Sequence, residues 1–337
     1  MGTILILGAG DDAQVADVRH ALTSLGAEHS CFDPALFPSR AEIVISCTAD
    51  GRSSGSLAWS EHTLSLGDVT SVWDRTPTGA KAEPRVRDPG QRGWIERESD
   101  RVLGEFWEML DCPWIPARPA RATRAEDVSH QLRRASRAGF PVPATLVTHS
   151  PAAFLSFYND TPGGVVSKVV ADRRVTNHGE PHLARTRPVA RRDLRYFRTV
   201  RFAPVVCQEQ VAARLHVRAT VVDGQVFASA RRPAPAGRDH ARVSASDADA
   251  EAFQPHELPP AIQRRSVRLA TGLGLSCCEI DLIQAPDDSF VFLGLRCRGG
   301  RGRVDDKTSR AIAQALGALL VRGPRVPHRT TTERTGG

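Results

Sequence analysis

The first 110 positions alternate between short apolar runs and helically spaced apolar residues. Residues 3–8, TILILG, form an apolar run that ends at a glycine, as a buried parallel strand does. Apolar residues then recur at helical spacing from Val15 to Leu25, and Gly26 is placed to end that helix. The segments AEIVISC and VTSVWDR predict further strands. The pattern therefore predicts an α/β unit of about 110 residues with a parallel sheet.

Two loops and a helix separate this unit from the rest of the chain. Residues 76–93 are charged and rich in Pro and Gly, which predicts a loop. A helix is expected from Trp94 to Leu110, with its apolar residues on one face. The stretch 112–127, CPWIPARPARATRAED, is predicted to be a second loop.

From residue 128 the apolar pattern shortens, which predicts several short strands between helices. Asp223–Gly224 is a strong hairpin signal between two of these strands. Residues 230–255 predict a mobile loop, and the last 15 residues a disordered tail. The predicted helices are 128–139, 151–160, 259–272 and 307–321, and the strands are 143–148, 163–172, 204–212, 215–224, 225–232, 276–285 and 289–297.

Composition narrows the class of protein. The chain has 337 residues, 41% hydrophobic and 25% charged, so two or three subdomains are expected. No apolar run reaches the roughly 20 residues of a membrane span, and the N-terminus lacks a basic signal region. The seven cysteines show no CxxC pair and no zinc-site spacing, so reduced thiols and a cytoplasmic location are expected.

The basic residues are almost all arginines. The net charge is +7, and three lysines among 45 basic residues leave 42 arginines. A GC-rich genome explains much of this bias, but guanidinium groups also match carboxylates and phosphates. An acidic peptide, a nucleotide or a nucleic acid is therefore a natural class of partner.

The turn after the first strand allows two interpretations. Residues 8–13, GAGDDA, fit a dinucleotide-binding G-x-G-x-x-A turn, and Asp33 lies where a ribose-binding acid would be. However, Asp11 and Asp12 put two negative charges where a pyrophosphate would bind. A plain α/β turn, with these carboxylates capping the helix, is favoured.

Lys168 is the second candidate, because it interrupts the valine run GGVVSKVVA. An unpaired ammonium group is costly to bury. Lys168 therefore lies either at an exposed strand edge or against an anionic ligand such as phosphate.

Glu279 and Asp281 are the third candidate. Alternation along a strand puts both carboxylates on one face, while Ile280 and Leu282 point to the other. Such a pair can hold Mg²⁺ or an arginine cluster.

Taken in order, the motifs resemble the ATP-grasp ligases that mature ribosomal peptides, the graspetide or microviridin type. SVWDRTP, VVSKVV, VVCQEQVAARLHVRATVVDGQVFA and GLSCCEIDLIQAPDDSFVFL follow one another as in that family, over residues 3–321. The resemblance implies an α/β and α+β protein with an ATP-grasp fold and a Rossmann-like pre-ATP-grasp domain. It implies boundaries at 1–112, 113–205 and 206–322, with a disordered tail at 323–337.

The same resemblance implies the chemistry. ATP and Mg²⁺ activate a peptide carboxylate as an acyl phosphate, and an amine or hydroxyl group then closes a lactam or lactone. Carried over by position, the roles are Lys168 at the α/β phosphates, Gln208 and Glu209 at the adenine hinge, Arg218 at phosphate or acyl phosphate, and Asp281, helped by Glu279, at the metal.

Three positions depart from the family pattern. The expected Phe-Leu-Glu-x-Asn is Phe-Leu-Gly294-Leu-Arg296 here, and Val128 replaces an expected lysine. Either ATP is still used, with Arg296, Arg298, Arg301 or Arg303 replacing metal charge, or the protein binds peptide or a partner enzyme without turnover.

The arginine-rich stretch 185–201 is the candidate peptide site. Its members Arg191, Arg192, Arg195 and Arg198 suit the acidic precursor peptides that the resemblance implies, although a solvated surface explains them equally well. A homodimer or a partner ATP-grasp ligase is left open. Nucleic acid is disfavoured, because RCRGGRGR has no aromatic residues to stack on bases.

Overall fold

A computed structural model of the chain describes the larger part of its 337 residues. The described residues are 2–10, 12–75, 79–168, 174–177, 180–183, 186–233, 252–298 and 304–324. Asp11, Arg301 and Arg303, and most of the predicted mobile loop and tail, lie outside them. Within the described part, no helix is both long and apolar enough to cross a bilayer.

The N-terminal part contains a parallel sheet, as its apolar runs predict. The strands pair in the order β2-β1-β6-β7, all parallel. Gly26 follows the first helix with φ of +66°, a conformation that glycine adopts without strain. The elements are β1 Thr3–Leu7, α1 Ala13–Ser24, β2 His29–Phe32, β3 Ala41–Cys47, β4 Ser53–Trp59, β5 His62–Ser65, β6 Val69–Asp74, α2 Pro89–Glu108 and β7 Trp114–Ile115.

The strand AEIVISC does not join this parallel sheet, contrary to the expectation. It is β3, and it pairs antiparallel with β4, which pairs antiparallel with β5 in a separate sheet. Val44 of β3 is 58% exposed, whereas β1 is buried along almost its whole length. A strand with one solvated face suits an antiparallel sheet, and the apolar run alone did not distinguish the two cases.

Two predicted loops contain helical residues. The helix α2 begins at Pro89 and not at Trp94, because Asp88 caps it and proline occupies its first turn. The predicted loop 112–127 is wrong in part, since Pro119–Glu126 is helical. Both starts carry a proline at the first helical position, which is the signal that the loop interpretation overlooked.

The rest of the chain is built mainly on two antiparallel sheets and a hairpin. One sheet has the order β12-β9-β13-β8, the other β16-β15-β14-β17-β18, and β10 pairs with β11. The elements are α3 Pro119–Glu126, α4 Val128–Arg137, β8 Thr145–Thr148, α5 Pro151–Asn159, β9 Val165–Lys168, β10 Arg174–Asn177, β11 Glu180–Leu183, β12 Arg187–Pro188, the 3₁₀ helix Arg191–Phe202, β13 Val205–Glu209, β14 Leu215–Val222, β15 Gln225–Arg231, β16 Gln254–Pro255, α6 Pro260–Leu273, β17 Cys277–Gln284, β18 Phe290–Arg296 and α7 Asp306–Arg322.

The C-terminal helix joins the two ends of the chain. Ile312 and Leu316 of α7 share one buried cluster with Val18 and Leu22 of α1 and with Val222 of β14. The last helix therefore packs on the N-terminal unit as well as on the five-stranded sheet. Division of the chain at residues 112, 205 and 322 stays a proposal.

Candidate functional site

One face of the five-stranded sheet is polar. Val217 and Ala219 of β14, and Ile280 and Leu282 of β17, lie in the hydrophobic core on the other face. Because side chains alternate along a strand, the residues between them point away from that core. The prediction that Glu279 and Asp281 share a face opposite Ile280 and Leu282 agrees with this arrangement.

Four charged side chains on this polar face form a closed ring of ion pairs. Arg218 Nε donates to Asp281 Oδ1 at 3.2 Å and lies 4.0 Å from Glu279 Oε2. Arg296 donates through one terminal nitrogen to Asp281 Oδ2 at 3.0 Å and to Glu279 Oε2 at 3.3 Å. Each guanidinium thus contacts both carboxylates, and the four formal charges sum to zero.

The sheet register explains why these four residues meet. Arg218 of β14 lies opposite Asp281 of β17. On the other side of β17, Glu279 lies opposite Arg296 of β18, and Asp281 lies opposite Gly294. The two carboxylates are therefore bracketed by an arginine on each neighbouring strand.

The side chains of this ring are largely buried, so water screens the attraction between their charges only weakly. The side chain of Arg218 is 2% exposed, and those of Glu279 and Asp281 are 14% and 15% exposed. The negative charge of Asp281, followed by that of Glu279, raises the pKa of Arg296 although burial opposes this. Removal of one partner from such a buried pair would leave an uncompensated charge, which costs about 3–5 kcal/mol.

The ring does not fit Mg²⁺. Magnesium prefers six oxygen ligands in a near-octahedral shell, but both carboxylates already accept from guanidinium groups. A divalent ion 4 Å from one guanidinium would be repelled by about 8 kcal/mol at an effective dielectric constant near 20. Among the residues that the structure describes, no group of three or more His, Cys, Asp or Glu side chains could hold a metal.

Lys168 lies at the end of β9 and reaches the other sheet. Its Nζ donates to Gln208 Oε1 on the adjacent strand β13 and to the backbone carbonyl of Leu293 on β18, at 3.3 Å. Leu293 lies where the pairing of β17 and β18 shifts register, since Asp281 pairs with Gly294 but Leu282 pairs with Phe292. Such an irregularity leaves a residue outside the ladder and its carbonyl available to a side chain.

The amide group of Gln208 is hydrogen-bonded to other residues of the protein through both its oxygen and its nitrogen. Gln208 is 2% exposed, and its Nε2 donates to Thr145 Oγ1 at 3.0 Å while its Oε1 accepts from Lys168. Glu209 Oε2 accepts from the backbone N–H of Ala144 at 3.2 Å. The backbone N–H groups of Glu209 and Gln210 also donate within the protein, to the carbonyls of Ala144 and Gly164.

Two helix side chains fix the end of β18, and sequence reasoning missed both. Gln131 Oε1 accepts from the backbone N–H of Leu295, and Glu126 Oε1 accepts from those of Cys297 and Arg298 at 2.8 and 3.1 Å. Gln131 is buried on the mainly polar helix α4. Its spacing of four residues from Ala135 was the only available signal that it faces inward.

The same polar face carries an aromatic cover and a buried histidine. The Phe253 ring centroid lies 5.1 Å from the guanidinium carbon of Arg218 and 5.3 Å from that of Arg231. His216 is 4% exposed on β14, and burial, reinforced by Arg231, lowers its pKa to about 4 despite Asp281. His216 is therefore neutral near pH 7.

The helix Arg191–Phe202, called the arginine helix below, carries the predicted peptide-binding residues. A 3₁₀ helix has three residues per turn, so residues three apart form rows. Leu194, Phe197 and Val200 form an apolar row that packs into a hydrophobic cluster with Phe154. A second, exposed row consists of Arg192, Arg195, Arg198 and Arg201, and Arg191 is exposed as well.

The glycine-rich turn near residue 10 has a structural role. Asp12 caps α1 by accepting from the backbone N–H of Gln14 at 2.8 Å, and it also pairs with Arg75 at 3.0 Å. Asp33 caps the short 3₁₀ helix Pro34–Leu36. The favoured interpretation as a plain α/β turn agrees with these contacts.

Comparisons with known proteins agree on one fold. A family model described as the MvdD pre-ATP grasp domain matches residues 3–120. The crystal structure of macrocyclase MdnB from Microcystis aeruginosa MRC is 27% identical, with a TM-score of 0.80, and the match covers 96% of this chain and 100% of that one.

Two further proteins are similar to this chain. A RiPP-associated ATP-grasp ligase from Chryseobacterium gregarium, in complex with ADP and a leader and core peptide, is 23% identical with a TM-score of 0.83, over 98% of each chain. A probable alpha-L-glutamate ligase from Thioalkalivibrio sulfidiphilus (strain HL-EbGR7) is 25% identical over 216 residues, which are 64% of this chain and 69% of that protein. The predicted ATP-grasp fold with a pre-ATP-grasp domain is confirmed.

Proposed function

We propose that this chain is an ATP-grasp protein of ribosomal peptide maturation, which binds ATP between its two large antiparallel sheets and an acidic precursor peptide on its surface. In this proposal it is a ligase-like protein that activates peptide Asp or Glu carboxylates as acyl phosphates. The sheets concerned are β12-β9-β13-β8 and β16-β15-β14-β17-β18.

The observation that carries the nucleotide proposal is the position of Lys168. Its ammonium group extends from β9 to a backbone carbonyl of β18, so it lies between the sheets and not in bulk water. The ammonium group of Lys168 is half-buried, and two of its contacts are the neutral oxygens of Gln208 and Leu293. Exchange of a neutral oxygen for a phosphate oxygen gains a charge-assisted hydrogen bond. Lys168 is proposed to contact the α and β phosphates.

The other nucleotide contacts follow from the strands beside Lys168. Gln208 orients the ammonium group, and the backbone after Glu209 is proposed to read the adenine edge. Arg218 lies on the polar face of the opposing sheet, where its guanidinium is proposed to contact phosphate or acyl phosphate. Holding the γ-phosphoryl group of ATP and the acceptor carboxylate of the peptide in place is the main task of a phosphoryl-transfer site, because the carboxylate oxygen displaces ADP from that group.

The arginine helix supports the peptide part of the proposal. Successive arginines of its exposed row are about 6 Å apart along the axis, because three residues rise about 2 Å each. Alternate side chains of an extended peptide are about 6.7 Å apart. An extended peptide with an acidic residue at every second position therefore matches this row in charge and spacing.

A second candidate function is binding without turnover, in which this chain serves a partner ATP-grasp ligase or a second copy of itself. The ring of Arg218, Glu279, Asp281 and Arg296 favours it, because the two carboxylates are already neutralised. Formation of ADP from ATP in the presence of an acidic peptide would support the ligase, and tight binding of both ligands without ADP would support the second candidate.

The test of the nucleotide site is calorimetry with ATP on the full chain and on Lys168→Ala. We expect the wild-type protein to bind ATP and the variant to bind at least about tenfold more weakly, since a hydrogen bond to a charged group contributes about 1.5–3 kcal/mol. The matched control is Lys81→Ala, whose ammonium group is 54% exposed near Glu96.

Each result of this calorimetry has a different meaning for the proposal. An unchanged ATP affinity in Lys168→Ala would remove the lysine from the proposed site. An equal loss in both lysine variants would indicate a general charge effect. Absence of ATP binding to the wild-type chain would leave peptide binding as the only part of the proposal that stands.

A further inference from the structure

The carboxylate pair on β17 is closed on both sides by guanidinium groups. Arg218 approaches from β14, and Arg296 approaches from β18, where it lies opposite Glu279. The terminal nitrogen of Arg296 bridges Asp281 at 3.0 Å and Glu279 at 3.3 Å. A cation that bridges two carboxylates at these distances occupies the place that a bound metal ion would need.

We propose that Arg296 is a built-in cation that closes the Glu279–Asp281 pair to divalent metal, so that nucleotide enters this cleft without a metal ion. Only the second clause, entry of nucleotide without a metal ion, rests on the proposed nucleotide site. The first clause concerns the chain's own charges and stands whether or not ATP binds.

The backbone around Arg296 is fixed, which keeps its guanidinium in place. Gln131 holds the N–H of Leu295, and Glu126 holds those of Cys297 and Arg298. The residues on either side of Arg296 are therefore tied to α3 and α4. A guanidinium group on a fixed strand loses little conformational entropy when one of its terminal nitrogens bridges two acceptors.

Gly294 is the second position on β18 that lacks a metal ligand. It lies opposite Asp281, on the same sheet face as the carboxylate pair, and it contributes no side chain there. A Cβ at this position would meet only Gln131 Oε1 within 4 Å, at an ordinary contact distance of 3.8 Å. A longer side chain is therefore accommodated at its base, and the missing oxygen ligand is not excluded by the backbone.

Two substitutions should consequently convert the ring into a metal site. Gly294→Glu adds a carboxylate opposite Asp281, and Arg296→Asn replaces the cation by an amide oxygen opposite Glu279. Together they give three carboxylates and an amide on one sheet face, which is a donor set for a hard divalent cation. Arg218 keeps its contact to Asp281 Oδ1, so three carboxylates then face one guanidinium instead of two facing two. The net charge of the site falls by two.

The experiment measures Mn²⁺ as a probe by electron paramagnetic resonance, without nucleotide, on the wild-type chain and on G294E/R296N. We expect the wild-type chain to leave the signal of free Mn²⁺ unchanged and the double variant to reduce it. R268N changes an exposed arginine on α6 and serves as the control for lost positive charge. R296K keeps a cation beside the carboxylates and should remain without Mn²⁺. R296N alone removes only that cation and should reduce the free Mn²⁺ signal in part, which keeps the inference testable if the double variant does not fold.

Calorimetry with ATP, in EDTA and in Mg²⁺, tests the second clause. The wild-type chain should bind ATP at least as tightly in EDTA, and the double variant should bind about tenfold more tightly in Mg²⁺. Mn²⁺ bound by the wild-type chain and lost in D281N would overturn the inference, as would a folded double variant that gains neither Mn²⁺ nor Mg²⁺-dependent ATP binding. If the wild-type chain binds no ATP in either buffer, the proposed nucleotide site and its metal-free binding of ATP are both wrong. The Mn²⁺ result still decides whether Arg296 excludes divalent metal.

Discussion

His216, on the polar face of the five-stranded sheet, makes the free energy of unfolding depend on pH. Its pKa is about 4 in the folded protein, against about 6.5 in an unfolded chain. Between these values the unfolded state binds the extra proton, so the free energy of unfolding falls as the pH falls from about 6.5 to 4. The linked loss is about 3 kcal/mol.

We therefore predict that His216→Leu flattens the pH dependence of unfolding in this window. Urea denaturation at several pH values between 4 and 7 measures it. His20→Leu, at an exposed position on α1, should keep the slope of the wild-type protein. If both variants keep that slope, His216 does not contribute to it.

At the scale of residues, sequence reasoning found the groups but not their mutual contacts. Lys168 stood out because a charge interrupted valines, and Glu279 and Asp281 stood out through alternation. That Arg296 and Arg218 bracket the carboxylates depends on strand register, which is set by long-range pairing. Gln131 was missed, because its spacing of four residues from Ala135 is a weak signal on a helix with so many polar residues.

The arginine helix is an element whose repeat matches an extended acidic peptide. We predict that Arg192→Gln, Arg195→Gln and Arg198→Gln together weaken binding of a labelled peptide with glutamate at alternate positions by about tenfold, since exposed ion pairs contribute up to about 1 kcal/mol each. Fluorescence polarisation measures this affinity.

A charge-matched triple variant, R133Q/R264Q/R268Q, removes exposed arginines elsewhere and should leave the affinity nearly unchanged. A peptide of the same composition with its glutamates in one block should bind more weakly than the alternating one. Equal losses in both triple variants would contradict a specific site. Stronger binding of an RNA of similar length at 0.3 M salt, a condition that weakens contacts made only to phosphates, would assign the row to nucleic acid.

Elements with strong local signals were predictable, and those fixed by partners were not. α4 begins at Val128, and the hairpin turns at Asp223–Gly224, as expected. β3 was found as a strand but assigned to the wrong sheet, because its partner β4 lacks a clear apolar run. The arginine helix gave no helical signal, since its apolar period is 3 and not 3.6.

For the whole molecule, α7 is the element that couples the N-terminal unit to the five-stranded sheet. Leu316 is 1% exposed in the cluster that contains residues of α1 and β14. We predict that Leu316→Ala lowers the free energy of unfolding by about 2–5 kcal/mol, as truncation of a buried leucine does. All five tryptophans precede residue 115, so tryptophan fluorescence reports on the N-terminal unit alone.

Denaturation of Leu316→Ala should therefore shift the fluorescence midpoint together with the circular dichroism midpoint. Val321→Ala is the control on the same helix, because Val321 is 53% exposed. A fluorescence midpoint that stays at the wild-type value while circular dichroism shifts would show that the two parts unfold independently. The packing of the last helix on the first was not predictable from apolar spacing, which does not identify the partner of a buried face.

The acceptor that Lys168 finds on β18 is a main-chain carbonyl, and this has an evolutionary consequence. A carbonyl is present whatever amino acid occupies position 293, so point changes in the neighbouring motif leave the bond between the two sheets intact. Substitutions at positions 294 and 296 can therefore accumulate without loss of this contact. Side chains on the polar face can thus change in evolution more freely than the contact between the two sheets.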